Sequence, residues 1–224
     1  MSPFYREIAL SHFILPMVFV ILVPQGAEYQ AVSQGVRSQK NPPQVIPIPA
    51  GKAAIRDLDR VSKTSEILVM GLCGSLSPDF EIGSIALYQS CVNLAGMVKE
   101  CDSAFTDRLQ NQFQVSPILG LTSDRVICSA NEKRNLAKSS GAVVVDMEGF
   151  PILEQRSIAM LRVVSDDLSG DLPDLGTAIN SNGKIQAIPM AIAMIKRPIG
   201  ASRLIWGSLS GLRKLRQLAA ELSQ

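Results

Sequence analysis

Four stretches of this chain are almost continuously apolar: Phe13 to Val23, Glu66 to Met70, Ala142 to Asp146 and Ile158 to Ser165. They are short, rich in Val, Ile and Leu, and they run into Pro, Gly or acidic residues. A strand covered by helices on both faces reads this way, because no position along it meets water. Between them lie segments with helical spacing: Ala27 to Val36, Gly51 to Ser62, Asp102 to Phe113, and Asn131 to Ser139 closed by Gly141. Gln44 to Ile48 and Ile82 to Val92 add strands, and Arg125 to Cys128 a strand or loop edge. Gly200 to Ser223 carries Ile205, Leu209, Leu212, Leu215 and Leu222 at helical intervals, which predicts a long amphipathic helix. Strands alternating with helices predict an α/β fold, a central mixed, largely parallel sheet flanked by helices. No repeat or low-complexity linker divides the chain, so residues 1–224 read as one domain.

The first apolar run resembles a signal peptide in its apolarity alone. It has eleven residues, whereas a helix needs about 20 to span a bilayer. No small-residue cleavage site follows; Pro24, Gln25 and Gly26 do. A buried strand without a membrane span, in a cytoplasmic protein, is the expectation. The chain is 46% hydrophobic and 19% charged, a folded composition. Twenty-two Lys and Arg against 20 Asp and Glu give a net charge of +2, too balanced to supply a nucleic-acid footprint without strong clustering, and no nucleic-acid partner is expected. The basic group Arg213, Lys214 and Arg216 reads as the solvated face of the last helix.

His12 is the only histidine, which excludes zinc sites built on several histidines and leaves a Ser-His-Asp triad only a residue near the start of the chain. Cys73, Cys91, Cys101 and Cys128 form no CxxC pair and no metal-ligand spacing, so they read as buried free thiols. No metal is expected.

In open α/β sheets the ligand sits beyond the carboxyl ends of the strands. The polar residues at those ends are Pro24 to Glu28, Gly71-Leu72-Cys73-Gly74-Ser75, Asp146-Met147-Glu148-Gly149 and Ser165-Asp166-Asp167. Carboxylates dominate, which favours acid–base chemistry run by Asp and Glu. Each has a plainer alternative. Gly71 and Gly74 suit a tight strand-to-helix turn, Asp146 and Glu148 suit helix caps, Glu28 suits the first turn of a helix, and Asp166 and Asp167 suit a solvated turn.

Taken in order, Gly71-Leu72-Cys73-Gly74-Ser75-Leu76, then Met147-Glu148, then a strand ending in Ser165-Asp166, the motifs resemble the purine nucleoside phosphorylase and uridine phosphorylase superfamily. Its methylthioadenosine/adenosylhomocysteine nucleosidases are the nearest likeness. The resemblance spans Val20 to about Asp167. It implies cleavage of the N-glycosidic bond of an adenine-type nucleoside, with no cofactor, and a homo-oligomer, as members commonly are. Members that process adenosyl-derived lipids or thioethers make an apolar 5-substituent part of the expectation.

The resemblance also implies roles. Asp166 would stand beside purine N7 and promote departure of the base, with Asp167 or burial raising its affinity for a proton. Glu148 would accept the ribose hydroxyls, Met147 would pack on the sugar, and Glu28 would orient the attacking water. Ser165, Cys73 and Gly74 would line the pocket, and Phe150 is the aromatic nearest the motifs for stacking on the purine. Phosphorylases of the superfamily carry an arginine before the glycine loop and a hydroxyl within it; here those positions are Val69 and Leu72. Water is therefore the favoured nucleophile, with inorganic phosphate as co-substrate, or binding without turnover, as the alternatives. The segment Gly149 to Arg156 is a turn or more shorter than the helix the superfamily places there.

Overall fold

The computed structural model describes residues 19–63, 65–175 and 187–222. His12 and the start of the first apolar run, on which the signal-peptide comparison rests, lie outside the described residues. The strands are β1 (Phe19–Pro24), β2 (Gln44–Ile48), β3 (Glu66–Ser75), β4 (Ile85–Asn93), β5 (Val98–Glu100), β6 (Ile118–Thr122), β7 (Val144–Asp146) and β8 (Ala159–Asp166). The helices are α1 (Ala27–Val36), α2 (Ser103–Phe113), α3 (Ala130–Ser140), α4 (Gly149–Leu153), α5 (Ala187–Lys196) and α6 (Pro198–Glu221). All strands belong to one mixed sheet.

Parallel pairs join β1 to β2 and β3, β3 to β8, β4 to β6, and β6 to β7. Antiparallel pairs join β3 to β7, β4 to β5, and β4 to β8. The pairings run β3, β8, β4, β6, β7 and back to β3, so five strands close a ring while β1 and β2 extend from β3 and β5 from β4. Both faces are covered. Phe19, Ile21 and Val23 of β1 pack with Val32, Val36, Leu215 and Leu218 of α1 and α6, and the alternate residues Val20 and Leu22 pack with Ala54, Leu58 and Ile152 on the other side. This is the two-sided burial that a continuous apolar run requires.

Local chemistry sets the element ends. The Asp102 carboxylate accepts the Phe105 N–H at 2.9 Å to start α2, Ser129 caps α3, and Gly141 ends α3 with φ +72°. Three expectations shift. The segment from Gly51 to Arg60 winds as 3₁₀ turns rather than an α-helix, with Gly51 at φ +69° and its N–H tied to the Glu148 carboxylate at 2.9 Å. β5, β6 and α5 were not marked by periodicity. Finally, Gly71 to Ser75 is no turn: β3 continues through it, paired with β8 as far as Gly74.

Candidate active site

Although β7 runs antiparallel to β3, the two touch only through Gly74–Val145 and Ser75–Val144. Their carboxyl ends therefore meet, together with those of β1 and β8, at a cavity of about 550 Å³. Glu28, Cys73, Gly74, Met147, Glu148, Ser165 and Asp166 all line it. The residues singled out from four separate strand ends are brought to one place. Phe150 is not among them: its side chain lies in the core, 4% exposed, and touches an adjoining cavity of about 370 Å³, which shares Met147 as its wall.

The glycines work by close approach. A Cβ at Gly71 would stand 2.4 Å from Arg162 Nη1 and 2.8 Å from Glu28 Oε1, and one at Gly74 would stand 2.9 Å from Asp166 Oδ2. Absent side chains on β3 let three ionisable groups from α1 and β8 close over the strand.

Glu28 enters through the turn at Gly26, where φ is +102°, a conformation a side chain disfavours. It lies in the first turn of α1, yet its carboxylate reaches β3 and accepts the Leu72 N–H at 2.6 Å. Burial, reinforced by the Glu148 charge, pushes its pKa from 4.5 to about 7, against the pull of the Leu72 hydrogen bond and Arg162. Such a group accepts a proton near neutrality.

Glu148 stands before α4 without capping it. Its Oε1 accepts the Gly51 N–H at 2.9 Å and its Oε2 meets Arg162 Nη2 at 3.2 Å. Burial is the chief cause of its raised pKa, and Arg162 opposes the rise. The capping role falls to Asp146, whose Oδ1 accepts the Gly149 N–H at 3.2 Å and the Thr122 hydroxyl at 2.6 Å. Arg162, wholly buried, also meets Asp146 Oδ2 at 3.3 Å. Desolvation works against its charge, and Asp146 and Glu148 overcome that and raise its pKa.

Beyond the expected set, the sequence reading missed Arg162 and Lys133. A single guanidinium within Ala159-Met160-Leu161-Arg162-Val163-Val164 was the available signal, since a charge in a buried strand must be paired. Lys133 carried none, because Glu132-Lys133-Arg134 reads as a solvated helix face. In the fold its ammonium is 1% exposed. It donates to Asp166 Oδ2 and to the Asp167 carbonyl at 3.2 Å. The neighbour acting on Asp166 is thus a cation rather than the carboxylate of Asp167, which accepts the Ser169 N–H at 2.9 Å. Ser165 Oγ donates to the Cys73 carbonyl at 3.3 Å and lies 3.1 Å from Asp166 Oδ1. Among the described residues, no group of His, Cys, Asp and Glu is arranged to hold a metal ion.

Solved structures share this architecture. Futalosine hydrolase of Helicobacter pylori aligns over 92% of this chain and 99% of its own, at 13% identity and TM-score 0.62. The chain shares its fold with this hydrolase and with solved nucleosidases. The 5'-methylthioadenosine/S-adenosylhomocysteine nucleosidase of H. pylori, in complex with butyl-thio-DADMe-Immucillin-A, aligns over 93% of this chain and 100% of its own, at 15% identity and TM-score 0.58. The corresponding nucleosidase of Campylobacter jejuni aligns over 92% and 100%, at 12% identity and TM-score 0.57. No protein-family model and no curated protein sequence matches the chain. Within the nucleosidase fold, α4 is held to five residues, and Glu148 and Asp166 still line the same cavity.

Proposed function

We propose that this chain cleaves the N-glycosidic bond of an adenine-type nucleoside by hydrolysis. The observation that carries the reading is the convergence of Glu28, Glu148 and Asp166 on one cavity, with Glu28 poised at about 7. Ionised Glu28 takes a proton from water as the water oxygen bonds to ribose C1′. The C1′–N9 bond breaks, its electron pair leaves on the purine, and N7 takes a proton from the Asp166–Lys133 pair. One proton is gained at Glu28 and one lost at the pair, so the sum is nucleoside plus water giving ribose and free base. Glu148 offers the ribose diol acceptor oxygens, and Met147 packs beside it.

Water is favoured over phosphate by charge. The carboxylates Glu28, Asp146, Glu148 and Asp166 line the cavity, against the buried cations Arg162 and Lys133 paired to the last three, a balance that disfavours a dianion. Arg125 at the cavity wall is engaged by Glu132. For an apolar 5-substituent the support is the apolar part of the adjoining cavity, which Ile55, Leu94, Met147, Phe150 and Pro151 line alongside Lys52, Asp124 and Glu154.

Methylthioadenosine and adenosine incubated with the protein, with and without phosphate, test the proposal. Free adenine should appear at the same rate with and without phosphate, together with methylthioribose from methylthioadenosine and ribose from adenosine. Release only with phosphate would make the enzyme a phosphorylase, and tight binding without release would make the chain a binding protein.

A further inference from the structure

Six of the ten large apolar side chains that are exposed among the described residues lie in α5 and α6: Ile192, Ile195, Ile199, Ile205, Trp206 and Leu209. The placement is not the consequence of a loosely packed helix. The opposite face of α6 is tightly seated. A Cβ at Gly207 would stand 2.1 Å from the Ser165 carbonyl, and Leu215 and Leu218 are buried against β1 and β8. α6 therefore has one face committed to the sheet and a second, apolar face committed to nothing among the described residues. Ile199, Trp206 and Leu209, at 76%, 62% and 58% exposure, follow the helical spacing along that second face.

Charge says what covers it. From Ala187 to Ala220 there is no Asp or Glu, against Lys196, Arg197, Arg203, Arg213, Lys214 and Arg216. The near-neutral total conceals a cationic segment on a chain whose remainder has more acids than bases. Arg197 pairs with Asp171 and Arg203 donates to Ser169. No ion pair among the described residues holds Lys196, Arg213, Lys214 or Arg216. Exposed Arg213 and Arg216 continue the face that Ile205 and Leu209 begin. A second copy meeting this face about a two-fold axis would set cations on cations. An apolar stripe with cations and an interfacial tryptophan suits an anionic bilayer surface, with acyl chains receiving the stripe and head groups the charges.

We infer that the outer face of α5 and α6 docks this protein on an anionic lipid surface, lying on the membrane without crossing it. No described helix is long and apolar enough to span one. The inference is independent of the proposed catalysis.

The full chain is floated with vesicles of phosphatidylcholine alone or of equal parts phosphatidylcholine and phosphatidylglycerol. Emission of Trp206, the only tryptophan, is recorded in parallel. Binding to the anionic vesicles with a blue shift, weakened about tenfold or more by high salt and by the double variant Ile199→Glu, Leu209→Glu, is the expected result. Unchanged circular dichroism of that variant separates lost docking from lost folding, and Arg213→Gln with Arg216→Gln should weaken docking without touching the apolar stripe. Equal binding to both vesicle types, no binding to either, or a dimer that the Glu variants dissociate without any vesicle binding would each overturn the inference.

Discussion

At the scale of single residues, Glu28 holds its proton more tightly folded than unfolded. Its ordinary pKa of 4.5 becomes about 7 in the fold. Between those values the native state binds more protons than the unfolded state. Stability from this group is therefore fully present below about 4.5 and is lost as pH rises through about 7. Catalysis runs the other way, since only the ionised carboxylate takes a proton from water. Adenine release should rise with pH through an apparent pKa near 7. Glu28→Gln should lower kcat by about 10²–10⁴-fold, erase that limb, and flatten the fall in denaturation midpoint over the same interval. A glutamine variant that kept the limb would place the base elsewhere. The Asp166–Lys133 pair makes a separate demand. Asp166→Asn removes the carboxylate facing the base. Lys133→Met leaves that carboxylate but takes away its buried donor, and stranding one member of such a pair costs about 3–5 kcal/mol. Both should slow release of adenine. Both should also depress the melting temperature, Asp166→Asn because it strands the ammonium of Lys133, 1% exposed, and Lys133→Met less so because the carboxylate it leaves lines the cavity; calorimetry alongside product assay reads the two effects separately.

Among elements, packing across glycines decides how α6 and β8 share space. A methyl at Gly207 would overlap the carbonyl of Ser165, the residue before Asp166. Gly207→Ala should therefore cost about 1–3 kcal/mol, a drop of several degrees in melting temperature. It should also impair activity, because the displaced backbone carries the candidate acid. Exposed Ser202 on the same helix supplies the control, Ser202→Ala, with neither effect. Elements of this kind were legible where one rule governed them. α1 and β2 fall at their expected bounds, and α3 ends at the expected Gly141, because periodicity and capping are local. β5, β6 and the path of β3 through Gly71 to Gly74 were not, because each depends on a distant partner. β5 has only three residues, all exposed and paired to one edge of β4. A Gly-x-Cys-Gly string favours a turn until Arg162 and Asp166 from β8 are laid against it. The site followed the same division. The four strand ends were readable as carboxylate-bearing termini, whereas Lys133 is polar in sequence and buried only because α3 packs over the end of β8.

The whole molecule is organised by the ring of β3, β8, β4, β6 and β7, in which every strand is paired on both sides. No member can leave without breaking two sets of pairings, so the ring should open as one unit. Its cysteines report on this. Cys73 in β3, Cys91 in β4 and Cys101 beside α2 are buried, whereas Cys128 is half-exposed. Burial pushes Cys101 up to about 12 and raises Cys73 and Cys91 well above the ordinary 9.0. Because the thiolate is the reactive form, all three should be inert to alkylation in the native protein at neutral pH, while Cys128 reacts first. In mild denaturant, with labelling resolved by mass spectrometry, Cys73 and Cys91 should then be modified together at the rate of global unfolding. Cys101 is the discriminating site. Its N–H is tied to the Gln89 carbonyl at 2.9 Å, on the outer side of β4, where β5 forms the edge of the sheet. Modification of Cys101 ahead of the other two would show β5 and α2 opening as a separate unit. A common rate for all three would extend the cooperative ring to that edge.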